Sequence, residues 1–361
     1  MYKKDVILEN QKNESNQMFL IKGVYLEITS KCNGFCPYCH NNSKLNGADI
    51  PLKNIKNIID SIDFMPPEAV LTLSGGEPTL HPDFVKIVRY SLDKGNGKIR
   101  VITNGSLIDR LDIYELLSYC EVQLTIETLN SKLHDKYRGE GTFALFSKIK
   151  SRTSLYSGNG KISLRVNISE RNANELSNII EQASKWGVDI IRFAFLQNKG
   201  RAIDDECLID HYSTPDKAQL IINQLENLKK NQNPTYPVFD LEECYPRDGC
   251  ELMFKDLIPI SPCIDAFGNV YPCNKFMFPD YVIGNVKKQN IKDILYGGIF
   301  NAFLLRLQKR YAYMEECQGC VWKNVCFKGC PAVSHMRYSS LDRISGDCDY
   351  LKSVFKTMAK K

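Results

Sequence analysis

Cys32, Cys36 and Cys39 fall within eight residues, in Cys32-Asn-Gly-Phe-Cys36-Pro-Tyr-Cys39. The preceding run, Gly23-Val-Tyr-Leu-Glu-Ile-Thr29, alternates apolar and polar residues and reads as a β-strand. The cysteines therefore lie on the loop leaving the strand's C-terminal end. Three thiolates on one short loop can hold three irons of a [4Fe–4S] cluster. A fourth ligand close by is absent, and His40, beside Cys39, should point away from a cluster that Cys39 holds. The fourth iron is then open to a small molecule. A structural zinc site needs a closed set of four ligands, which this loop lacks.

A second turn, Gly75-Gly76-Glu77-Pro78, follows the strand-like Ala69-Val-Leu-Thr-Leu73. Its glycines let backbone approach a ligand closely, and its carboxylate can accept hydrogen bonds from an ammonium. The elements that must position both turns repeat along the chain. Strand-like runs cover 23–29, 69–73, 99–103, 121–127, 162–168 and 189–195. Helix-like stretches lie at 51–64, 82–94, 109–119, 131–150 and 174–187, with another near 214–230. Alternating strands and helices imply parallel βαβ units, and six units make a partial (β/α)6 barrel. Parallel barrels place ligands on the loops after strand C-termini. Thr103-Asn104-Gly105, Thr125-Ile-Glu127-Thr128, Asn167 and Leu196-Gln197 occupy such positions after strands three to six.

The chain has 361 residues, 43% of them hydrophobic, enough for two domains around large cores. A net charge of +5 is small for this length and does not suggest nucleic acid, though it suits an acidic substrate or partner. No run of eighteen apolar residues predicts a membrane span, and the charged Met-Tyr-Lys-Lys-Asp start lacks a secretory apolar region. The expected location is cytoplasmic, where fourteen cysteines argue for metal rather than disulfides. Residues 1–22 form an expected cap segment, 23–213 the barrel, 214–243 a bridging helix and linker, and 244–361 a cysteine-rich unit.

The cysteine loop, the aromatic Tyr38 before its last cysteine, and Gly75-Gly76-Glu77-Pro78 together resemble the signature of the radical S-adenosylmethionine (SAM) superfamily. The resemblance implies that the open iron chelates the amino and carboxylate groups of SAM. It also implies that the Gly75-Gly76-Glu77 turn receives the amino group. One electron from the cluster then cleaves the sulfonium and yields a 5′-deoxyadenosyl radical. Thr125-x-Glu127 resembles a Ser/Thr-x-Asp segment that contacts SAM, with Glu in place of Asp. Arg165 and Asn167 resemble the polar pair that reaches the SAM carboxylate and ribose, or else bond nearby loops as an ordinary strand-end pair. Asn104 and Leu196 complete the set facing the cofactor, although Asn104 before glycine also suits a plain turn.

Nine further cysteines lie between 244 and 348, among them Cys317-x2-Cys320-x5-Cys326-x3-Cys330 and Cys348. Upstream, Ile264-Asp-Ala-Phe-Gly-Asn-Val-Tyr271 reads as a hairpin, with Cys273 five residues after Gly268. This array resembles the SPASM domain, which holds two auxiliary [4Fe–4S] clusters beside radical SAM barrels. The resemblance assigns Cys317, Cys320, Cys326 and Cys348 to one cluster, and Cys330 with Cys273 to the other. Cys250, then Cys244, are the leading choices to complete the second set; Cys263, on the hairpin strand, either joins it or faces the hairpin core. Paired zinc sites are the alternative for the array, because Cys-x2-Cys is also zinc spacing. The two resemblances together cover residues 23–348.

Cys120 reads as a core residue ahead of strand four. Cys207, past strand six, reads as a loop cysteine or as a hydrogen-atom donor to a substrate radical. His81 and His134 read as helix caps or surface residues. The implied protein is an enzyme with three [4Fe–4S] clusters, SAM, and an external electron donor such as flavodoxin or ferredoxin. Its expected substrate is a peptide, modified by cross-linking, oxidation or epimerisation. A radical dehydrogenase or epimerase of a small molecule such as an aminoglycoside is the alternative, and a plain iron–sulfur electron carrier is the non-enzymatic one.

Overall fold

The computed structural model describes residues 18–62, 65–95, 97–107, 118–153, 158–197, 199–204, 214–231, 236–241, 250, 252, 257–326, 329–344 and 348–358. The expected helix at 109–119 lies almost wholly outside the described residues, as do most of the N-terminal cap segment, Cys207 and Cys244.

The strands are β1 (Met18–Ile21), β2 (Gly23–Thr29), β3 (Val70–Gly75), β4 (Lys98–Ile102), β5 (Glu121–Ile126), β6 (Lys161–Ile168) and β7 (Ile190–Phe195), then β8 (Val238–Asp240), β9 (Leu257–Ile260), β10 (Cys263–Ile264), β11 (Asn269–Tyr271) and β12 (Gly284–Asn285). Ten of them form one sheet in the order β12-β11-β10-β2-β3-β4-β5-β6-β7-β8. Every pair from β10–β2 through β7–β8 is parallel. The six expected strands are therefore present in the expected order.

Both edges of that sheet depart from the expectation. The segment read as a bridge supplies β8, a short seventh parallel strand beside β7. At the other edge β10, from the cysteine-rich unit, pairs with β2, placing Cys263 opposite Tyr25. β1 and β9 form a separate parallel pair. The C-terminal unit is thus built onto the barrel's first strand rather than hung from a linker.

The alternation of β2 separates the two faces. Val24, Leu26 and Ile28 join the main apolar core with Ile55, Ile58 and Ile59 of helix α1 (Leu52–Ser61). Tyr25 and Glu27 occupy the alternate positions, on the face lined by polar groups; the Tyr25 hydroxyl donates to Ser74 Oγ at 2.7 Å. α2 (Phe84–Lys94) buries Phe84, Ile87, Val88 and Ser91 in the same one-faced manner. The expected helix at 131–150 is two helices, α3 (Ser131–Arg138) and α4 (Thr142–Thr153). The Asp135 carboxylate accepts from the Gly141 and Phe143 amides at 3.0 and 2.8 Å, which caps α4 and fixes the break. No helix among the described residues is long and apolar enough to cross a membrane.

Charges from four strands pair across the sheet. Arg100 Nε and Nη2 donate to Glu121 at 3.0 and 3.1 Å, Arg192 bonds Glu121 as well, and Arg192 Nε donates to Asp240 at 3.0 Å. Burial works to raise the Glu121 pKa, but the Arg100 and Arg192 guanidinia outweigh it and hold the carboxyl below its ordinary range. Removing one member of so enclosed a network leaves charge without its partner. Arg192→Met should lower stability by about 3 kcal/mol. A thermal unfolding midpoint equal to the parent's would contradict that.

Candidate active site

The loop after β2 is closed at its base. Ser30 N donates to Ala48 O at 2.8 Å, Cys32 N to Lys44 O at 3.0 Å, and Ile50 N to Ile28 O at 2.9 Å. Asp49 accepts from Thr29 Oγ1 and pairs with Lys31 Nζ, each at 2.6 Å. The turn after β3 lies directly on this base: Gly76 N donates to Thr29 O at 2.8 Å and Glu77 N to Lys31 O at 2.7 Å. A Cβ at Gly75, whose φ is +137°, would come within 2.0 Å of Thr29 O. One at Gly76 would meet Lys31 O at 2.1 Å and Cys32 Cβ at 3.0 Å. The glycines are needed for backbone to approach backbone beside Cys32.

Glu77 is fully buried. Its Oε1 accepts from Thr79 N at 3.1 Å, Thr79 Oγ1 at 2.5 Å and Thr103 Oγ1 at 2.6 Å, and its Oε2 accepts from Asn104 N at 2.6 Å. The carboxylate thus ties the β3 turn to the β4 turn, a role the sequence did not suggest. Oε2 has two lone pairs and accepts only the Asn104 amide among these bonds, so one direction at Oε2 remains for a further donor. Asn104 in turn donates to Asn33 Oδ1, within the cysteine loop, at 2.8 Å.

The cysteine loop is held by cations. Arg138 Nη1 donates to Cys36 Sγ at 3.1 Å and lies 3.4 Å from the Tyr38 hydroxyl. Arg201 Nε donates to Cys36 O at 2.8 Å, and its amide to Cys39 O at 3.0 Å. Tyr38, Leu196 and Ala202, with Cys36 against them, make a small apolar cluster apart from the main core. Burial pushes the Cys32 thiol up to about 11, with the Gly34 amide opposing and Glu77, Cys36 and Cys39 adding to the rise. Burial raises the Cys36 thiol too, and the Arg138 guanidinium opposes it. Thiols so placed need positive charge or metal to become thiolates.

The other candidate positions open onto the same end of the barrel. Thr125 and Glu127 are buried at the end of β5, and Glu127 lies within charge reach of both Cys36 and Arg138. Arg165 Nε donates to Asn167 Oδ1 at 2.9 Å along β6, with Arg165 in register with Thr125. Polar residues outside the expected set also contribute, Glu27, Lys199 and Arg138 among them. Glu27 is buried on β2 and bonds the Asn41 amide. Burial raises its carboxyl to about 8, with Asn41 and Lys199 opposing and Asp265 adding. Its inward position was legible, because it alternates with Val24, Leu26 and Ile28. Lys199 and Arg138 gave no local signal.

Of the two expectations for the histidines, helix cap or surface residue, the surface one fails. His134 is buried among Phe143 and Phe146, with centroids 5.5 and 5.3 Å away. His81 is also buried and bridges Ile50 O at 2.9 Å and the Asp83 amide at 3.0 Å. Neither is a surface residue, since each finds ring or backbone partners inside. Cys120 is buried, with its thiol pushed up to about 12 by burial, as a core residue should be.

The C-terminal cysteines fall into two neighbourhoods. Cys317, Cys320, Cys326 and Cys348 line one cleft, walled by Trp322, Leu351 and Phe355. Cys263 and Cys273 stand at the base of the β10–β11 hairpin within charge reach of each other, and Cys273 within reach of Cys330. The buried Arg310 lies within charge reach of Cys330, Cys250 and Cys317. Cys263, Cys273 and Cys330 thus share one neighbourhood, and Arg310 stands between it, Cys250 and the Cys317 side. Among the described residues no three His, Cys, Asp or Glu side chains converge on a single ion.

Comparison with known proteins agrees with this layout. Residues 26–149 match the model described as radical SAM superfamily, and residues 260–321 match SPASM, the iron–sulfur cluster-binding domain. The chain is a radical SAM protein that carries a SPASM domain. The mycofactocin maturase MftC of Mycobacterium tuberculosis is 25% identical over 89% of this chain and 81% of its own length. The AdoMet-dependent heme synthase of Methanosarcina barkeri is 27% identical over 86% of this chain and 90% of its own. The PqqA peptide cyclase of Bradyrhizobium diazoefficiens is 24% identical over 90% and 85%. In fold the chain is similar to Streptococcus suis SuiB bound to its precursor peptide SuiA, with a TM-score of 0.70, 14% identity, and coverage of 95% of this chain and 83% of that one.

Two outcomes follow from the packing. Gly76→Ala forces the cysteine loop off the β3 turn and should cost about 3 kcal/mol or more. It should also reduce the iron bound near Cys32; full iron content with unchanged stability would contradict the contact. Glu27 keeps its proton in the folded chain up to about pH 8 but loses it near 4.5 when unfolded. The folded state therefore binds more protons in that window, and stability falls as pH rises through it. In denaturant titrations at the two ends of the window, Glu27→Gln should show a smaller fall than the parent, and equal falls would count against the assignment.

Proposed function

We propose that the protein reductively cleaves SAM at a [4Fe–4S] cluster held by Cys32, Cys36 and Cys39, and removes hydrogen from a peptide. The observation that carries this reading is the contact of Gly75-Gly76 with the base of the three-cysteine loop, at the C-terminal end of the parallel strands. Bound there, the cluster supplies one low-potential electron and an open coordination position for SAM. The chain's own residues then do the rest. Glu77 fixes the β3 and β4 turns around the ligand's amino group and offers it a charged acceptor. Asn104, Thr125, Glu127, Arg165 and Asn167 orient its polar groups, while Tyr38 and Leu196 give it an apolar surface. Enclosure by the barrel excludes water from the radical.

Residues 23–213 make up the radical-generating unit and 244–361 the auxiliary unit, with 1–22 as a cap and 214–243 as the connection that also supplies β8. Cys317, Cys320, Cys326 and Cys348 hold the outer auxiliary cluster. Cys273 and Cys330, with Cys250 and Cys263 or the alternative Cys244, hold the inner one. An external donor such as flavodoxin or ferredoxin supplies the electron. The peptide assignment is supported by relatives that align with most of the chain, one of them a peptide cyclase and one a maturase.

The anaerobically reconstituted protein should hold three clusters, on the order of twelve irons. The combined Cys32→Ala, Cys36→Ala and Cys39→Ala variant should lose about four irons and all release of 5′-deoxyadenosine. SAM cleavage by that variant would overturn the assignment. Co-expression with short peptides encoded nearby, followed by mass spectrometry, tests the substrate. Loss of two hydrogens indicates a cross-link or oxidation. Unchanged mass with deuterium uptake indicates epimerisation, and Cys207→Ala should then stop turnover. If no peptide changes while a sugar or amino alcohol consumes SAM stoichiometrically, the substrate is a small molecule.

A further inference from the structure

Lys199 is a buried cation that the radical chemistry at the cysteine loop does not use. It is only 6% exposed, and it follows β7 on the segment that clamps that loop. The next residue, Gly200, packs so tightly that a Cβ there would lie 2.4 Å from Cys39 O. The Lys199 side chain reaches the other way, to the hairpin edge of the sheet. Its Nζ lies 3.5 Å from Asn274 O and 4.7 Å from the centre of the Phe278 ring. Both contacts are uncharged, and Asn274 directly follows Cys273. Glu27 is the carboxyl within charge reach, and it bonds Asn41. The other groups within reach that can carry negative charge are the Cys263 and Cys273 thiols.

A buried ammonium costs several kcal/mol unless negative charge compensates it. Neutral thiols do not supply that charge, whereas thiolates around an iron–sulfur cluster do. We propose that Lys199 is the positioning countercharge of the Cys263–Cys273–Cys330 site and raises the reduction potential of the cluster held there. The inference rests on the ligand grouping proposed above. A fixed positive charge favours the more negative, reduced form of its neighbour, so losing it lowers the potential. The same residue would make the inner auxiliary site the better electron acceptor of the two. Its backbone also joins the segment touching Cys39, so the charge and the radical loop share one short stretch of chain.

The test uses full-length reconstituted protein in which Cys32, Cys36 and Cys39 are replaced by Ala, leaving two auxiliary couples for an EPR-monitored redox titration. In Lys199→Met one couple should move to lower potential while the other stays. Cys273→Ala should abolish the couple that moved. Lys199→Gln keeps a hydrogen-bond donor toward Asn274 O without the charge, and should follow Met; Lys199→Arg should return towards the parent. Should Lys199→Met fail to load iron, the Gln and Arg variants carry the comparison. Unmoved couples in the Met and Gln variants overturn the proposal. So does a Gln variant with the parent's potential, since a hydrogen bond would then suffice. If Cys273→Ala removes neither couple, the ligand grouping fails instead, whatever Lys199 does.

Discussion

The turn after β3 can sit where it does only because two residues there lack a Cβ. Gly75 and Gly76 place backbone against Thr29, Lys31 and Cys32 at separations no side chain tolerates. That contact fixes the cysteine loop to the sheet, and through Glu77 it also fixes the β4 turn. Three strand ends are thereby locked at one end of the barrel. The parallel sheet supplies the platform, and the close approach determines where the thiols stand.

The second constraint is electrostatic. Burial raises the pKa values of Cys32, Cys36, Cys263, Cys273 and Cys348, so their thiolates are costly without compensation. The chain sets cations beside each neighbourhood. Arg138 serves Cys36, Lys199 serves Cys263 and Cys273, Arg310 serves Cys330 and Cys250, and Lys352 serves Cys348 and Cys320. These cations come from distant parts of the sequence. Folding thus brings a cation to each neighbourhood of thiols, which lowers the cost of the thiolates that an iron–sulfur cluster would need.

Much of this was legible beforehand, for identifiable reasons. The six barrel strands repeat a local pattern of apolar alternation, and local patterns survive in sequence. The cysteine loop and Gly75-Gly76-Glu77 are short, so their spacing carries their meaning. What escaped were relations between distant segments. Nothing near residues 238–240 announces a strand that finds its partner in β7, and nothing near Cys263 announces pairing with β2. The single helix expected at 131–150 failed because the Asp135 carboxylate prefers to cap a new one. His81 and His134 read as helix caps or surface groups because their buried partners, Ile50 O and the Phe143 and Phe146 rings, belong to other elements.

The central claim is that SAM binds at the one cluster whose loop leaves an iron open. Electron paramagnetic resonance of the reduced protein, with and without SAM, tests it directly. The account predicts that SAM perturbs one cluster signal and leaves the auxiliary signals unchanged, and that Cys36→Ala removes the SAM-sensitive signal alone. Signals that all ignore SAM, or a SAM response that persists after Cys36→Ala, would contradict it.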